Sequence, residues 1–444
     1  MTKSFFSPEE FTSRRTRLYD RIGPEAVALV QGIGPVAGFE MPRQTNDLFY
    51  LTGIESPQTY LLIDAQTRTS ALYLPQGGSH VAGEGKELGA EDADLIREIS
   101  GVESVFPIGL LTEHLQEAKI VFTPHKPAEG KFACQDTLRH AHKASASDPW
   151  DVAPTREELF ITLIRERVSG VTVHDLSPLI STMRLVKSPE EVAVMRRAGA
   201  ICARAVVEVV RSTRPGVTEY QLWAVADYVY RANGVSYEGY RPIIAGGDNI
   251  WLIHYYRIDS VLSDGDLVLF DCAPDVANYT SDIGRMWPVN GKYSPQQREL
   301  YGFIVEYHKT LLRFIRPGVT PEQVMAEAAD VMRPVVESWP FSREIYREGA
   351  RRTLTFQGHL SHTVGMAVHD GGAYFGQPMP PGLVFALDPQ MWIPEEKLYI
   401  RVEDTVVVTE TGVERLTGDC PLELDEMEAL MTEPGIFPTF PAAV

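Results

Sequence analysis

Gly265-Asp266-Leu267-Val268-Leu269-Phe270-Asp271 and Gly382-Leu383-Val384-Phe385-Ala386-Leu387-Asp388 read as two versions of one element. In each, a glycine opens an apolar run and an aspartate stands six residues after that glycine. A short apolar run behind a turn signal is the mark of a buried strand. A carboxylate at the end of such a strand is costly unless something pairs with it. Two of them in duplicated positions imply a shared cation.

The duplication extends outward from these strands. Ser188-Pro189-Glu190-Glu191 opens a helix, with Ser as N-cap, Pro at the first helical position and acids in the first turn. That helix runs to Arg214-Pro215-Gly216-Val217-Thr218. Ser294-Pro295-Gln296-Gln297 opens another, which runs to Arg316-Pro317-Gly318-Val319-Thr320. The identical Arg-Pro-Gly-Val-Thr segments lie 102 positions apart (316 − 214), and a second helix follows each, from Glu219 and from Pro321. The aspartate-ending strands keep the same order, 117 positions apart (388 − 271). Each half therefore reads helix, turn, helix, then strands carrying carboxylates. Two halves related by a pseudo-twofold would turn those carboxylates toward one cavity. Two copies are too few for a solenoid.

Residues 1–174 read differently, as a smaller α/β domain. Val27-Ala-Leu-Val-Gln, Leu48-Phe-Tyr-Leu-Thr, Thr59-Tyr-Leu-Leu-Ile and Ser70-Ala-Leu-Tyr-Leu have strand composition with turn signals around them. Thr155 to Val168 predicts an amphipathic helix closed by Ser169-Gly170. Asn46, Asp47, Phe49 and Tyr50 either line a cleft or, on the plainer reading, form a turn followed by a strand. The class is thus α+β, with a first domain at 1–174 and a duplicated one at 175–444.

Composition narrows the function. The 444 residues, 44% hydrophobic, suffice for two or three cores. A net charge of −19 without a long Lys/Arg run argues against nucleic acid. Cys134, Cys202, Cys272 and Cys420 are widely spaced with no C-x-x-C pair, which suits a reducing compartment and not a thiolate zinc site. Met1-Thr-Lys-Ser-Phe-Phe-Ser-Pro lacks the apolar core of a signal peptide, and no apolar run approaches the roughly 18 residues of a membrane span. A cytoplasmic chain without membrane partners is expected.

Five residues stand out as ligands: Asp271, Asp282, His362, Asp388 and Glu403. Asp271 and Asp282 flank a short hairpin with its turn at Asp275 to Asn278. Taken singly, an Asp at a hairpin end is usually a turn or cap residue, a His in a Gly-rich stretch a surface residue, and Glu403-Asp404 a solvated strand end. The repeat independently selects two of the five, which sets the plain readings aside. Four carboxylates and one imidazole form a hard site suited to Mn²⁺, Co²⁺ or Zn²⁺. Two divalent ions balance four carboxylates better than one. Such a pair at roughly 3.5–4 Å can hold a bridging hydroxide near neutral pH and clamp a carbonyl oxygen.

Beyond these spacings, the chain resembles the pita-bread metallopeptidases, most closely Xaa-Pro aminopeptidase (aminopeptidase P) and prolidase. The resemblance is carried by Asp271-Cys-Ala, Ser281-Asp282-Ile-Gly-Arg285, His362-Thr-Val-Gly-Met-Ala-Val-His369-Asp370, Pro381-Gly-Leu-Val and Arg401-Val-Glu403-Asp404. Arg184-Leu-Val-Lys187-Ser188-Pro-Glu-Glu191, His254-Tyr-Tyr and, in the first domain, Asn46-Asp-Leu-Phe-Tyr-Leu-Thr-Gly53 also match. It implies a C-terminal pita-bread fold and two divalent ions, Mn²⁺ before Co²⁺ or Zn²⁺. On this resemblance Asp271 holds one metal, Asp282 and Glu403 bridge both, and His362 and Asp388 hold the second. Asp388 also shuttles the proton of the nucleophilic water. His254 and His369 would stabilise the scissile carbonyl, and Arg401 would contact substrate or steady Glu403. The substrate implied is a peptide whose second residue is proline, cut at the Xaa-Pro bond, and the assembly implied is a homodimer or homotetramer. A prolidase-type dipeptidase with organophosphate side activity, a metal-free creatinase-like hydrolase and a peptide-binding pseudoenzyme are the alternatives.

The chain departs from the family at three places. Asp388 stands where the family has Glu, losing roughly 1.5 Å of reach. Pro389-Gln390-Met391 replaces a Pro-Gly pair, and Gly284 stands where Thr is usual. The short loop from Gly371 to Pro381 has no arginine to clamp the carboxylate of a dipeptide, which favours an aminopeptidase. Arg343, Arg347, Arg351 or Arg352 could substitute, although a solvated basic helix face is the plainer reading.

Overall fold

The computed structural model describes residues 5–36, 40–77, 87–356 and 358–436; Met1 to Ser4, part of the signal-peptide reading, lie outside them. The chain forms two compact units, Met1–Arg184 and Leu185–Val444. The division falls ten residues later (184 − 174) than the sequence expectation. The reason is local: β6 (Thr172–Asp175) pairs in parallel with β5 (Ile120–Thr123), the Met183 carbonyl accepts from Tyr50 Oη at 3.2 Å, and Arg184 pairs with Asp47 and Glu129.

In the first unit β1 (Ala26–Gln31), β2 (Tyr60–Asp64), β3 (Thr69–Leu74) and β4 (Ser104–Pro107) join β5 and β6 in one sheet of order β4-β3-β2-β1-β5-β6. Leu29, Leu62, Tyr73, Val121, Phe160 and Ile164 form a core on it. The expected helix is found as Arg156–Arg167, capped by a reciprocal Thr155/Glu158 box. The expected strand at Leu48 is a correction: Asn46–Thr52 is a helix, ended by Gly53 in the left-handed region. Its side chains from Leu48 to Thr52 are all buried, so no face alternates, and a short apolar run does not distinguish buried helix from buried strand. Arg15 secures its end. Its guanidinium donates to the Leu51 carbonyl at 2.8 Å and to the Ser100 and Gly101 carbonyls at 2.9 and 2.7 Å.

The second unit repeats its helix pairs as the sequence does. Pro189–Ser212 and Glu219–Ala232 form one pair, Pro295–Phe314 and Pro321–Ser338 the other. All four start on reciprocal capping boxes, Ser188/Glu191, Thr218/Gln221, Ser294/Gln297 and Thr320/Gln323. Between them run a two-residue ladder of β7 (Tyr237–Glu238) with β10 (Pro274–Asp275), and the main strands β8 (Ile243–Gly246), β9 (Leu267–Asp271) and β11 (Ile283–Pro288). The second half adds β12 (Val384–Leu387), the hairpin of β13 (Gln390–Ile393) and β14 (Leu398–Arg401), β15 (Glu403–Val408) and β16 (Val413–Arg415).

The sheet order β12-β15-β11-β9-β8, with β16 beside β15, shows the pseudo-twofold. Its axis passes between the central β11 and β15, and the duplicated β9 and β12 lie one strand further out on either side. Val268, Leu269 and Phe270 of β9 and every residue of β12 are buried. That is why both strands read as unbroken apolar runs and not as alternating ones. Among the described residues no helix is long and apolar enough to cross a membrane.

Candidate active site

Five strand ends deliver the site. Asp271 closes β9, and Gly284 of β11 stands between Asp271 on one side and Glu403 of β15 on the other. Asp282 sits just before β11. Its amide donates to Thr405 Oγ1 at 2.6 Å, and that hydroxyl donates back to the Asp282 carbonyl at 2.9 Å. The hairpin from Asp271 to Asp282 turns at Ala277 and Asn278, both left-handed, and the Asn278 amide donates to Asp275 Oδ1 at 2.9 Å. Asp388 follows β12 directly, and Arg401 ends β14 two residues before Glu403.

His362 and His369 come from one loop, their ring centroids 4.1 Å apart. An ion pair fixes that loop: Lys187 Nζ lies 3.2 Å from Asp370 Oδ2, both side chains nearly fully buried. Gly365 is required there, since a Cβ would fall 2.0 Å from Asp370 Oδ2.

The side chains converge. His362 Nε2 lies 3.5 Å from Asp282 Oδ2 and 3.9 Å from Glu403 Oε1, and one ligand atom from each of these three residues falls within 4.8 Å of the others. The Arg401 guanidinium pairs with Asp271, lies 3.2 Å from Glu403 Oε2 and 3.5 Å from Asp388 Oδ2. His254 is the exception. It stands exposed on the turn after the 3-10 helix Gly247–Trp251, its carbonyl accepting from Arg241 at 3.5 Å.

The electrostatics are unbalanced. Asp271, Asp282, Asp388 and Glu403 face one guanidinium, all with side chains no more than 5% exposed. Burial, then repulsion by Asp271, holds the Asp282 carboxyl well above the usual range; burial and then Asp282 do the same to Glu403. Burial likewise raises Asp388. Arg401 stays charged against burial because Tyr399 and the carboxylates surround it. Burial and then His369 push the His362 imidazole down to about 3, so it is neutral with a lone pair to offer. Asp388 Oδ1 and Glu403 Oε2 are buried and accept no hydrogen bond. Buried acceptors without hydrogen bonds in an over-negative pocket are costly, and a hard divalent cation is what this donor set fits.

Several contacts escaped the sequence reading. Tyr240 Oη lies 2.5 Å from Asp271 Oδ1 and 2.7 Å from Asp282 Oδ1. Nothing in Gly239-Tyr240-Arg241-Pro242 marks it. Arg285 donates to the Glu403 carbonyl at 2.5 Å and to Asp404 Oδ1 at 2.7 Å, anchoring the strand that bears Glu403. Gln390 donates to Asp388 Oδ2. A cavity of about 530 Å³ has Asp388, Gln390, Ser361 and Arg352 in its wall, among the apolar Leu311, Met325, Phe356, Leu360 and Trp392.

Known proteins agree with this geometry. The model of metallopeptidase family M24 matches residues 193–410, and that of the aminopeptidase P N-terminal domain matches residues 11–121. Xaa-Pro aminopeptidase of Escherichia coli (strain K12) is 32% identical over 452 residues, covering 96% of this chain and 98% of that protein. The chain belongs to metallopeptidase family M24. Within the family, a mitochondrial intermediate cleaving peptidase 55 of Arabidopsis thaliana is 28% identical, covering 95% of this chain and 83% of that protein. The solved aminopeptidase P from E. coli with the inhibitor Pro-Leu aligns at a TM-score of 0.75 and 30% identity, covering 96% of this chain and 98% of that one. A putative aminopeptidase P from Bacillus anthracis has a TM-score of 0.79 at 22% identity, covering 97% and 100%, and shares the fold. The pita-bread fold preceded by an N-terminal domain is therefore the fold of this M24 enzyme.

Proposed function

We propose that this chain is an Xaa-Pro aminopeptidase that works with two divalent ions, Mn²⁺ first. The observation that carries the reading is the buried group Asp271, Asp282, His362, Asp388 and Glu403 around a single Arg401, with Asp388 Oδ1 left without a hydrogen bond. Asp271 would hold one ion, Asp282 and Glu403 both, and His362 and Asp388 the other. When bound, the ions supply an activated water and a Lewis acid for the scissile carbonyl. Asp388 takes the proton of the attacking water and delivers it to the departing proline nitrogen. That nitrogen belongs to a tertiary amide without an N–H. His254 and His369 donate to the developing oxyanion, where placed donors act most strongly. For His254 this requires its exposed loop to turn inward with substrate. Arg401 keeps Glu403 and Asp388 apart and neutralises part of their charge.

The cavity beside Asp388 supports a peptide with an apolar residue on the leaving side. Arg352 favours a second, prolidase-like reading. It lies in that cavity wall, where it could meet the carboxylate of a dipeptide, although its Nη2 already donates to the Trp392 carbonyl at 3.3 Å. Arg343 and Arg351 pair with Glu396 and with Glu337 and Glu344, away from that wall. Four buried free cysteines suit a reducing compartment, and the cytoplasm is the location we propose. A homodimer or homotetramer is the assembly proposed, checked by light scattering.

The deciding experiment is hydrolysis of matched Xaa-Pro dipeptide and tripeptide by chelated protein with Mn²⁺ added back. Cleavage of the tripeptide supports the aminopeptidase, cleavage of the dipeptide alone the prolidase. Failure to bind any divalent ion leaves a peptide-binding pseudoenzyme.

A further inference from the structure

Gln390 is the first residue of β13, directly opposite Arg401 across the β13–β14 hairpin. Both of these register partners reach the same atom. The Gln390 amide nitrogen donates to Asp388 Oδ2, and Arg401 Nη1 lies 3.5 Å from it. The other end of the Gln390 amide is also engaged: its Oε1 accepts from Trp392 Nε1 at 3.3 Å. That indole is itself clamped, 4.2 Å centroid to centroid from Tyr399 and 5.2 Å from Trp251. Both amide ends being occupied, the orientation of Gln390 is fixed with nitrogen toward Asp388. One oxygen of Asp388 is thereby pinned, while the other, Oδ1, is buried without a hydrogen bond.

A carboxylate pinned by one oxygen has lost its freedom to rotate, and its second oxygen is presented in one direction. For a side chain as short as aspartate this matters, because small errors in placement cannot be absorbed by extra torsions. We infer that Gln390 is a positioning residue: with Trp392 behind it, it orients Asp388 so that Oδ1 faces the metal centre. The inference rests on the reading of the site as a metal centre and adds a residue to it. It also makes Asp388 and Gln390 a matched pair. The Gln390 amide already touches the Asp388 carboxylate, so a glutamate at 388 would meet that amide with one methylene too many.

The test is Mn²⁺ binding to chelated protein by calorimetry, alongside turnover of an Xaa-Pro tripeptide. Gln390→Glu keeps the shape of the side chain and replaces the donor by a second carboxylate oxygen. It is expected to weaken one Mn²⁺ site by about 10–100-fold and to lower kcat more than it raises KM. Asp388→Glu alone should weaken the same site, and Asp388→Glu combined with Gln390→Gly should recover at least about tenfold of that loss. If the wild type binds two ions and Gln390→Glu binds them with unchanged affinity, the positioning role is overturned and the metal reading stands. If the wild type binds none, both fall. Should Gln390→Glu fail to fold, Trp392→Phe removes the donor behind Gln390 and must weaken the same site, by less; unchanged binding there overturns the inference equally.

Discussion

Gly284 stands opposite Glu403 across the central strand pair, and a Cβ on Gly284 would lie 2.9 Å from the Glu403 Cβ and 3.1 Å from its Oε2. The glycine therefore lets the strand bearing Glu403 approach closely; Glu403 Oε2 accepts no hydrogen bond and is met by the ion pair with Arg401 at 3.2 Å. The departure at Gly284, where Thr is usual, is what makes room for this approach. Gly284→Ala should destabilise the chelated protein by about 1–3 kcal/mol, the usual cost of overpacking. It should also weaken Mn²⁺ binding, since Glu403 must move. Urea unfolding and calorimetry check the two parts; an alanine that leaves both unchanged shows that the strands can part freely.

Tyr240 offers one proton to two carboxylates, at 2.5 Å to Asp271 and 2.7 Å to Asp282. Burial, then Asp271 and Asp282, raise its own pKa, so the phenol stays neutral. It tethers the two acids that span the hairpin. Tyr240→Phe removes the donor and keeps the ring. The expectation is a Mn²⁺ affinity about 10–100-fold weaker with an unchanged fold. Calorimetry together with a circular dichroism spectrum decides it, and wild-type affinity in the phenylalanine variant counts against the tether.

Much of this was legible in the chain because repetition amplifies weak signals. The helix starts carried their caps in sequence, Ser188 with Glu191 and Ser294 with Gln297, and those boxes form. Asp271 and Asp388 were marked by being twins. The contacts of Tyr240, Arg285 and Gln390 were not legible: Tyr240 and Arg285 reach partners 31 and 119 positions away, Gln390 bonds locally to Asp388, and a single hydrogen bond has no periodicity. The helix at Asn46–Thr52 was missed for a related reason: burial on all sides erases the pattern that separates a helix from a strand.

Chelation supplies a third expectation. Ions that bind only the folded chain stabilise it by RT ln(1 + [L]/Kd), about 2.7 kcal/mol at a hundredfold excess over Kd. The melting temperature should fall when divalent ions are stripped and recover when Mn²⁺ returns. Asp282, Asp388 and Glu403 have carboxyls raised by burial, so protons compete with ions as pH falls. The recovery should therefore be larger at about pH 7.5 than at about pH 5.5. Differential scanning calorimetry at both pH values measures it; a recovery that grows toward acid contradicts carboxylate ligation.

Behind the site, His308 is fully buried beside Asp404, with Nε2 3.3 Å from Asp404 Oδ2 but without hydrogen-bond geometry. Asp404 is already served by Arg285 at 2.7 Å, Arg415 at 3.1 Å and Thr417 at 2.5 Å. A proton on His308 would add a buried cation to a site whose carboxylate is spoken for, and burial pushes its pKa down from 6.5 to about 3. The unfolded chain takes up that proton near 6.5, while the folded chain refuses it until about 3. Stability contributed by neutral His308 is thus complete above the unfolded value and is lost as pH falls through this window. Its slope is at most about 1.4 kcal/mol per pH unit. His308→Gln has no such proton to refuse. The variant should be less stable at neutral pH, by about 1–3 kcal/mol from disturbed packing. Its unfolding free energy should fall less steeply between about pH 6 and pH 4. Urea denaturation across that range gives both slopes. Parallel slopes for the two proteins would mean that His308 takes up its proton in the folded chain, and that the Asp404 pocket admits a third cation after all.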